Sequence, residues 1–395
     1  MKILVKNTNV ITPYRIIYGG SVAVQDGKII GIYSNSDLEE STYQQVIDGQ
    51  GKYLSAGFMD IHNHGNFGHD VMEGTIETLD SMSKFHLKNG VLGYLPTTMT
   101  ASYEDTINAI KNAAKYMKNN NTADEDNPKA CVLGLHLEGP YFSMGKKGAQ
   151  PGKFIKNPCL KEIESFIDAS ENNVKLVAIA PELPGAIEAI SYLKSREITV
   201  SAGHSNATYD ETMLGIENGV TEATHLYNGM REFSHREPGI IGAALTDERV
   251  ACEMICDGIH LKPAAMKIAV KMKGRDKIIL ISDAMMAAGL KDGIYTLGVQ
   301  KVFVKDGAAR LAEGNLAGST LTLNKAVYNM VHLVGVKLED AVRMASLNPA
   351  RAIGLDKTKG SIEIGKDADL IIFNNEIKVE AAFIGGKQMF NNINK

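Results

Sequence analysis

His62 and His64 stand two residues apart behind the apolar run "GFMDI". A strand points the side chains at i and i+2 to one face, so both imidazoles can aim at one point. That arrangement suits a metal ion, provided the rest of the chain supplies further ligands. Candidates follow at intervals. His136 and Glu138 share a face in "GLHLEGP", His204 ends "ITVSAGH" and His225 lies in "VTEATHL". Asp257 and His260 follow "VACEMIC", and Asp283 follows "KIILIS". The chain holds ten histidines, and six of them fall at the ends of apolar runs. Chance would scatter them over helical patterns, as it does His86 and His332, which read as structural.

A lone histidine at a strand end is more often a hydrogen-bonding group than a ligand. The ligand reading of His62, His64, His204, His225 and Asp283 therefore rests on their convergence. His136 reads instead as a hydrogen-bonding group behind the ligands. A carboxylate such as Glu138, closing an apolar strand, is costly to bury unless it is paired or bound to metal. Imidazoles and carboxylates at this density suit a divalent cation, Zn²⁺ or Fe²⁺. Such an ion lowers the pKa of bound water from ~15.7 to about 7. Asp283, alone at its strand end, is placed to take a proton and return it to a leaving group. Together these parts describe hydrolysis by a metal-activated hydroxide.

The elements that must position them are legible as alternation. Eight apolar strand runs begin at "GFMDIH", "VLGYLPTT", "CVLGLHLEG", "VKLVAIAPE", "ITVSAGH", "VTEATHL", "VACEMICDG" and "KIILISDA". Helical patterns separate them, among them "TIETLDSMSKFHLKNG", closed by Gly90, "SYEDTINAIKNAAKYMKN", "CLKEIESFIDASENN" and "KPAAMKIAVKMKG". The pattern predicts an α/β chain whose residues 58–349 form a (β/α)₈ TIM barrel, with an open doubly wound sheet as the alternative. In such a barrel the active site lies at the C-terminal strand ends, where the histidines and acids fall. Residues 1–57 and 350–395 carry hairpin signals, such as Asp26-Gly27, and predict a small β-sandwich domain built from both chain ends.

The chain has 395 residues and a formal net charge of -4 with no basic block, so nucleic acid is not an expected partner. No run approaches the roughly 18 apolar residues of a membrane span, and no signal-peptide core is expected. Cys131, Cys159, Cys252 and Cys256 form no CxxC pair and read as reduced thiols of a cytoplasmic protein.

The same motifs resemble the amidohydrolase superfamily and, within it, the N-acetylglucosamine-6-phosphate deacetylases. The carriers are "SAGFMDIHNHG", "LHLEGPYFS", "KKGAQP", "SAGHSNAT", "THLYNGM", "REPGIIGAAL", "CDGIHLKP", "ISDAMMAAG", "LAGSTLTL", "SLNPARAIGL" and "KGSIEIGKDADLIIF". The resemblance spans essentially the whole chain. It implies metal ligation by Glu138, His204 and His225, and an acid/base role for Asp283. It further implies sugar contacts at Asn228 and Gly229, phosphate contacts at Arg236 and His260, and close backbone approach at Leu316, Ala317 and Gly318. Ser319 also reads as an ordinary helix cap. Some members lack the paired histidines of the first strand. Their presence here implies a second metal bridged by Glu138, so one or two ions per subunit; the rival is that His62 and His64 orient water or form a weak site. Many members carry His where Gln150 stands, and an amide can donate a hydrogen bond but cannot become cationic.

The implied activity is deacetylation of N-acetylglucosamine 6-phosphate to glucosamine 6-phosphate and acetate, in amino-sugar catabolism and cell-wall sugar recycling. The implied assembly is a homodimer with the phosphate-binding loop near the partner. Three alternatives stand beside it: the galactosamine epimer as substrate, a cyclic-amide hydrolase, and a non-catalytic scaffold. The second would want a lysine on the fourth strand, which ends "AIAPE", and the third a lost ligand, which is not seen.

Overall fold

The computed structural model describes residues 1–34 and 38–393. Its centre is a parallel barrel whose strands, first to eighth, are Phe58–Asn63, Val91–Thr98, Leu135–Glu138, Val174–Ile179, Thr199–Ala202, Val220–Ala223, Ala251–Ile255 and Ile278–Ile281. Each pairs with the next in chain order. The ring closes where the Asp283 N–H donates to His62 C=O (2.9 Å) and the His64 N–H to Ala284 C=O (3.0 Å). The eight expected runs are these eight strands, and the open-sheet alternative falls away with the closure. Every residue of the first two strands is buried, because a parallel strand is covered on both faces.

The helices close around this ring by their apolar stripes. Ile76–Lys88 buries Leu79, Met82, Ser83, His86 and Leu87, a helical repeat facing the second strand. The Thr75 hydroxyl caps its first turn, and Gly90 just past its end takes a left-handed φ of 80°.

Strands from both chain ends form the small β module. Tyr53–Ala56 pairs antiparallel with Leu370–Phe373, so a terminal segment of each end lies side by side in one mixed sheet. The hairpin at Asp26-Gly27 joins Ile16–Gln25 to Lys28–Tyr33. Val5, Val22, Leu54, Ile372 and Phe383 fill the module's own core.

One element lies outside the sequence-based expectation. After the eighth strand, Gly293–Leu297, Gln300–Lys305 and Ala308–Arg310 form an antiparallel meander. Its apolar side joins Met99 and Met285 in a separate cluster at the barrel mouth. Alternation in "IYTL" and "KVFVKDG" was the signal that could have found it. No helix among the described residues is long and apolar enough to cross a membrane, and all four cysteines are free.

Candidate metal centre

Four imidazoles converge on Glu138 at the C-terminal ends of the barrel strands. Oε1 lies 3.2 Å from His204 Nε2, 3.1 Å from His225 Nε2 and 3.5 Å from His62 Nε2; Oε2 lies 3.2 Å from His64 Nε2. Two ligand groups result, His62, His64 and Glu138, and Glu138, His204 and His225, each with its ligand atoms within 4.8 Å of one another. Asp283 Oδ1 faces the first pair at 3.6 Å from His62 Nε2 and 3.4 Å from His64 Nε2. All six side chains are buried.

The hydrogen bonds behind the rings decide what faces inward. His204 Nδ1 meets Lys146 C=O (2.9 Å) and His64 Nδ1 meets Thr97 C=O (3.2 Å). A carbonyl only accepts, so both Nδ1 atoms carry hydrogen, and any lone pair on either ring is on the Nε2 turned to the centre. His62 Nδ1 does the same against the carboxylate of Glu253 (3.1 Å). Yet His62 and His64 bring their Nε2 atoms to 3.3 Å, and His204 and His225 to 3.1 Å. Lone pairs that close, beside carboxylates and out of water, require positive charge between them. Protons would serve: burial opposes charge on His62, but Asp283, Glu138 and Glu253 lift its pKa to about 9. Burial likewise opposes charge on Glu138, and His62, His204, His225 and His64 hold its pKa well below the usual range. A divalent cation meets the same demand with ligand types suited to it, so the residues fit a metal.

Backbone strain holds part of this constellation. His204, His225 and Asp283 adopt φ of 46°, 32° and 46°, the left-handed region that non-glycine residues avoid. Gly229, at φ 61°, lets the backbone pass His204 where a Cβ would lie 2.8 Å from Nδ1.

The group floors a cavity of about 230 Å³ lined also by Gln150, Asn228, Gly229, His260, Leu316 and Gly318. Gln150 is clamped: its Oε1 accepts from Thr100 N–H (2.9 Å) and its Nε2 donates to Glu138 Oε2 (2.5 Å). That fixes the amide's orientation and leaves its second N–H for a ligand. The His260 ring is held by Asp257 Oδ2 (2.7 Å).

Two expectations, those for Ala317 and Ser319, need correction, and Arg236 lies apart from the other site residues. Arg236 is exposed on the loop after the sixth strand and does not line this cavity, because that loop turns outward. Ala317 is buried under the meander, its N–H donating to Ala309 C=O, and only its neighbours reach the cavity. Ser319 does not cap a helix, since the next one begins at Leu323; its hydroxyl donates to Ser282 C=O (2.6 Å) and accepts from Leu321 N–H (2.9 Å). His136 stands behind the ligand groups as expected, its Nδ1 3.5 Å from the Thr97 hydroxyl, while its Nε2 has no partner among the described residues.

Glu253 went unnoticed in the sequence. Its Oε2 accepts from His62 Nδ1 and from His225 N–H (3.1 Å), so one side chain braces both ligand groups. A carboxylate inside the apolar run "VACEMIC" was the available signal, the same one that marked Glu138. Beside it, Glu222 is buried with no donor for either oxygen among the described residues. Burial and the Glu253 charge push its pKa well above the carboxylate range.

Residues 53–392 match the amidohydrolase family. The chain is 40% identical over 342 residues to an N-acetylgalactosamine-6-phosphate deacetylase of Escherichia coli O157:H7, covering 87% of this chain and 89% of that one. It is 36% identical over 392 residues to an N-acetylglucosamine-6-phosphate deacetylase of Bacillus subtilis (strain 168), covering 98% and 97%. The crystal structure of N-acetylglucosamine-6-phosphate deacetylase from Pasteurella multocida superposes with a TM-score of 0.91 at 34% identity, covering 99% of this chain and 100% of that one.

Proposed function

Since this chain belongs to the amidohydrolase family, we propose that it hydrolyses the acetamide of N-acetylglucosamine 6-phosphate, releasing acetate and glucosamine 6-phosphate. The observation that carries the reading is the pair of ligand groups sharing Glu138, with Asp283 facing them across one cavity.

Glu138, His204 and His225 would hold one divalent cation and His62, His64 and Glu138 a second, with Zn²⁺ or Fe²⁺ suited to both. When bound, the ion supplies Lewis acidity and brings the pKa of its water toward ~7. Asp283 takes the water proton and passes it to the departing amine, so that acid and base are one group used in sequence. The free N–H of Gln150 donates to the acetyl oxygen as negative charge develops there. Asn228 and the Gly229 backbone orient the sugar, and His260, braced by Asp257, meets the phosphate. The backbone at Leu316 and Gly318 closes on the acetyl group.

We place the working unit as a homodimer. Exposed Arg236 then serves a phosphate across the interface, where its guanidinium can pair with two oxygens. The setting is amino-sugar catabolism and cell-wall sugar recycling in the cytoplasm. The second reading, N-acetylgalactosamine 6-phosphate as substrate, is favoured by the 40% identity to the Escherichia coli enzyme.

Acetate release from both sugar phosphates, with metal analysis of the same sample, tests the assignment. Release from the gluco substrate with at least tenfold higher kcat/KM, a difference of about 1.4 kcal/mol in barrier, supports the main reading. The reverse ratio supports the second, and release from neither with metal bound removes both.

A further inference from the structure

Behind the active-site cavity lies a second one of about 320 Å³ that the proposed reaction leaves unused. One side chain, Met99, lines both. Their other walls interleave: Gln150 and Leu297 face the first cavity, and their chain neighbours Pro151 and Gly298 face the second. The partition is therefore the buried Met99 side chain, flanked by the hydrogen bond from Thr100 N–H to Gln150.

The second cavity contains carboxylates, and of their oxygens those of Asp70 and Glu73 are committed, while Asp105 keeps one free among the described residues at the exposed side. Asp70 accepts from Met72 N–H and Gly298 N–H, Glu73 from Asp70 N–H and the Thr78 hydroxyl, and Asp105 from the Ser102 hydroxyl. What remains to meet a ligand is an apolar wall of Met72, Met99, Pro151, Phe154 and Met286, beside the exposed Asp105, Lys153 and Thr296. The apolar wall suits an aliphatic chain.

Topology says which end of a substrate comes here. Asn228 and Gly229 follow the sixth strand and His260 the seventh, whereas Met99 follows the second, four places from the sixth in a ring of eight. A phosphosugar held by the first group extends its acyl tail across the metal ligands toward Met99. This orientation rests on the function proposed above.

We propose that Met99 sets the acyl length this site accepts, and that the cavity behind it is the room for a longer straight-chain acyl group. Methionine is suited to such a wall, being unbranched and able to refold about three rotatable bonds. The chemistry is unchanged: the amide C–N bond breaks, water oxygen joins the acyl carbon, and the amine leaves with the proton delivered by Asp283.

The test uses the full-length, metal-loaded protein with N-acetyl- and N-butanoyl-glucosamine 6-phosphate, measuring the carboxylate released. In Met99→Ala, the ratio of butanoyl to acetyl kcat/KM should rise at least about tenfold over the unaltered protein. Adding Ala101→Leu, which puts bulk into the lining of the second cavity, should reverse the gain. Should Met99→Ala fail to fold, Met99→Val, also smaller than methionine, is expected to move the ratio in the same direction by less. An unchanged ratio in a folded variant with normal metal content overturns the gate, as does a gain that Ala101→Leu leaves intact. Absence of release from both substrates by the unaltered protein overturns the reaction itself, and the gate with it.

Discussion

Oε1 of Glu138 faces His204 and His225, while Oε2 faces His64. Substitutions around this carboxylate should therefore differ in kind. Glu138→Gln weakens both ligand groups at once, whereas His62→Asn and His204→Asn each disturb one. Metal analysis after gel filtration should show His62→Asn lowering bound metal by about one equivalent per subunit. Glu138→Gln should lower it further, and equal losses in all three variants would contradict the shared-carboxylate reading. Asp283 calls for a different readout. Asp283→Asn keeps the side-chain shape but cannot take the proton, so kcat should fall by about 10²- to 10⁴-fold. Sugar-phosphate binding, measured by calorimetry, should stay near normal. Turnover within a few-fold of the unaltered protein would remove Asp283 from its role.

The strand ends explain why these side chains meet at all. Three of them stand on left-handed backbone, a conformation costing of order 1 kcal/mol or more at each non-glycine residue. Neighbouring turns hold that strain in place. The segment after Asn315 does so for Asp283, through the bond from Ser319 N–H to Asp283 C=O (2.7 Å). Gly318 permits the approach at φ 60°, and an added Cβ would lie 3.2 Å from both Asp283 O and Met285 Cβ. Gly318→Ala should cost about 1–2 kcal/mol of stability for the backbone conformation alone. Urea denaturation should show a lower midpoint with an unchanged slope. Because the displaced atom belongs to Asp283, kcat should fall too, although residue 318 supplies no reacting group.

At the scale of the molecule, buried titratable groups away from the site shape stability against pH. His86 packs on Tyr94 with ring centroids 4.4 Å apart, and its Nε2 has no partner among the described residues. Burial pushes its pKa down to about 3 from the ordinary 6.5. Between those values the unfolded chain holds a proton that the native chain refuses, so stability falls as pH drops below about 6.5 and is fully present only above it. At pH 4.5 this one group should cost roughly 2 to 3 kcal/mol. Denaturant titrations at pH 8, 6 and 4.5 should show a shallower acid loss in His86→Leu than in the unaltered protein. Parallel slopes would exclude His86 as the source.

Across the whole chain, local pattern was enough for the barrel and for the residues that gather at its rim. A strand repeats every two residues and a helix every 3.6, so eight apolar runs with helical spacers imply a ring. Polar residues closing those runs mark its rim, as "FMDIHNH" and "HLEG" do. What a one-dimensional pattern does not carry is distance between segments. Only the tertiary structure set His62 and His64 against one oxygen pair with His204 and His225, turned Arg236 away from its own chain's cavity, and put Glu253 behind two ligands. Only it brought the meander over the mouth and left one methionine between two cavities. The reason is physical: residue types and periods follow from each residue's own burial, whereas contacts across the barrel depend on how all the strands close together.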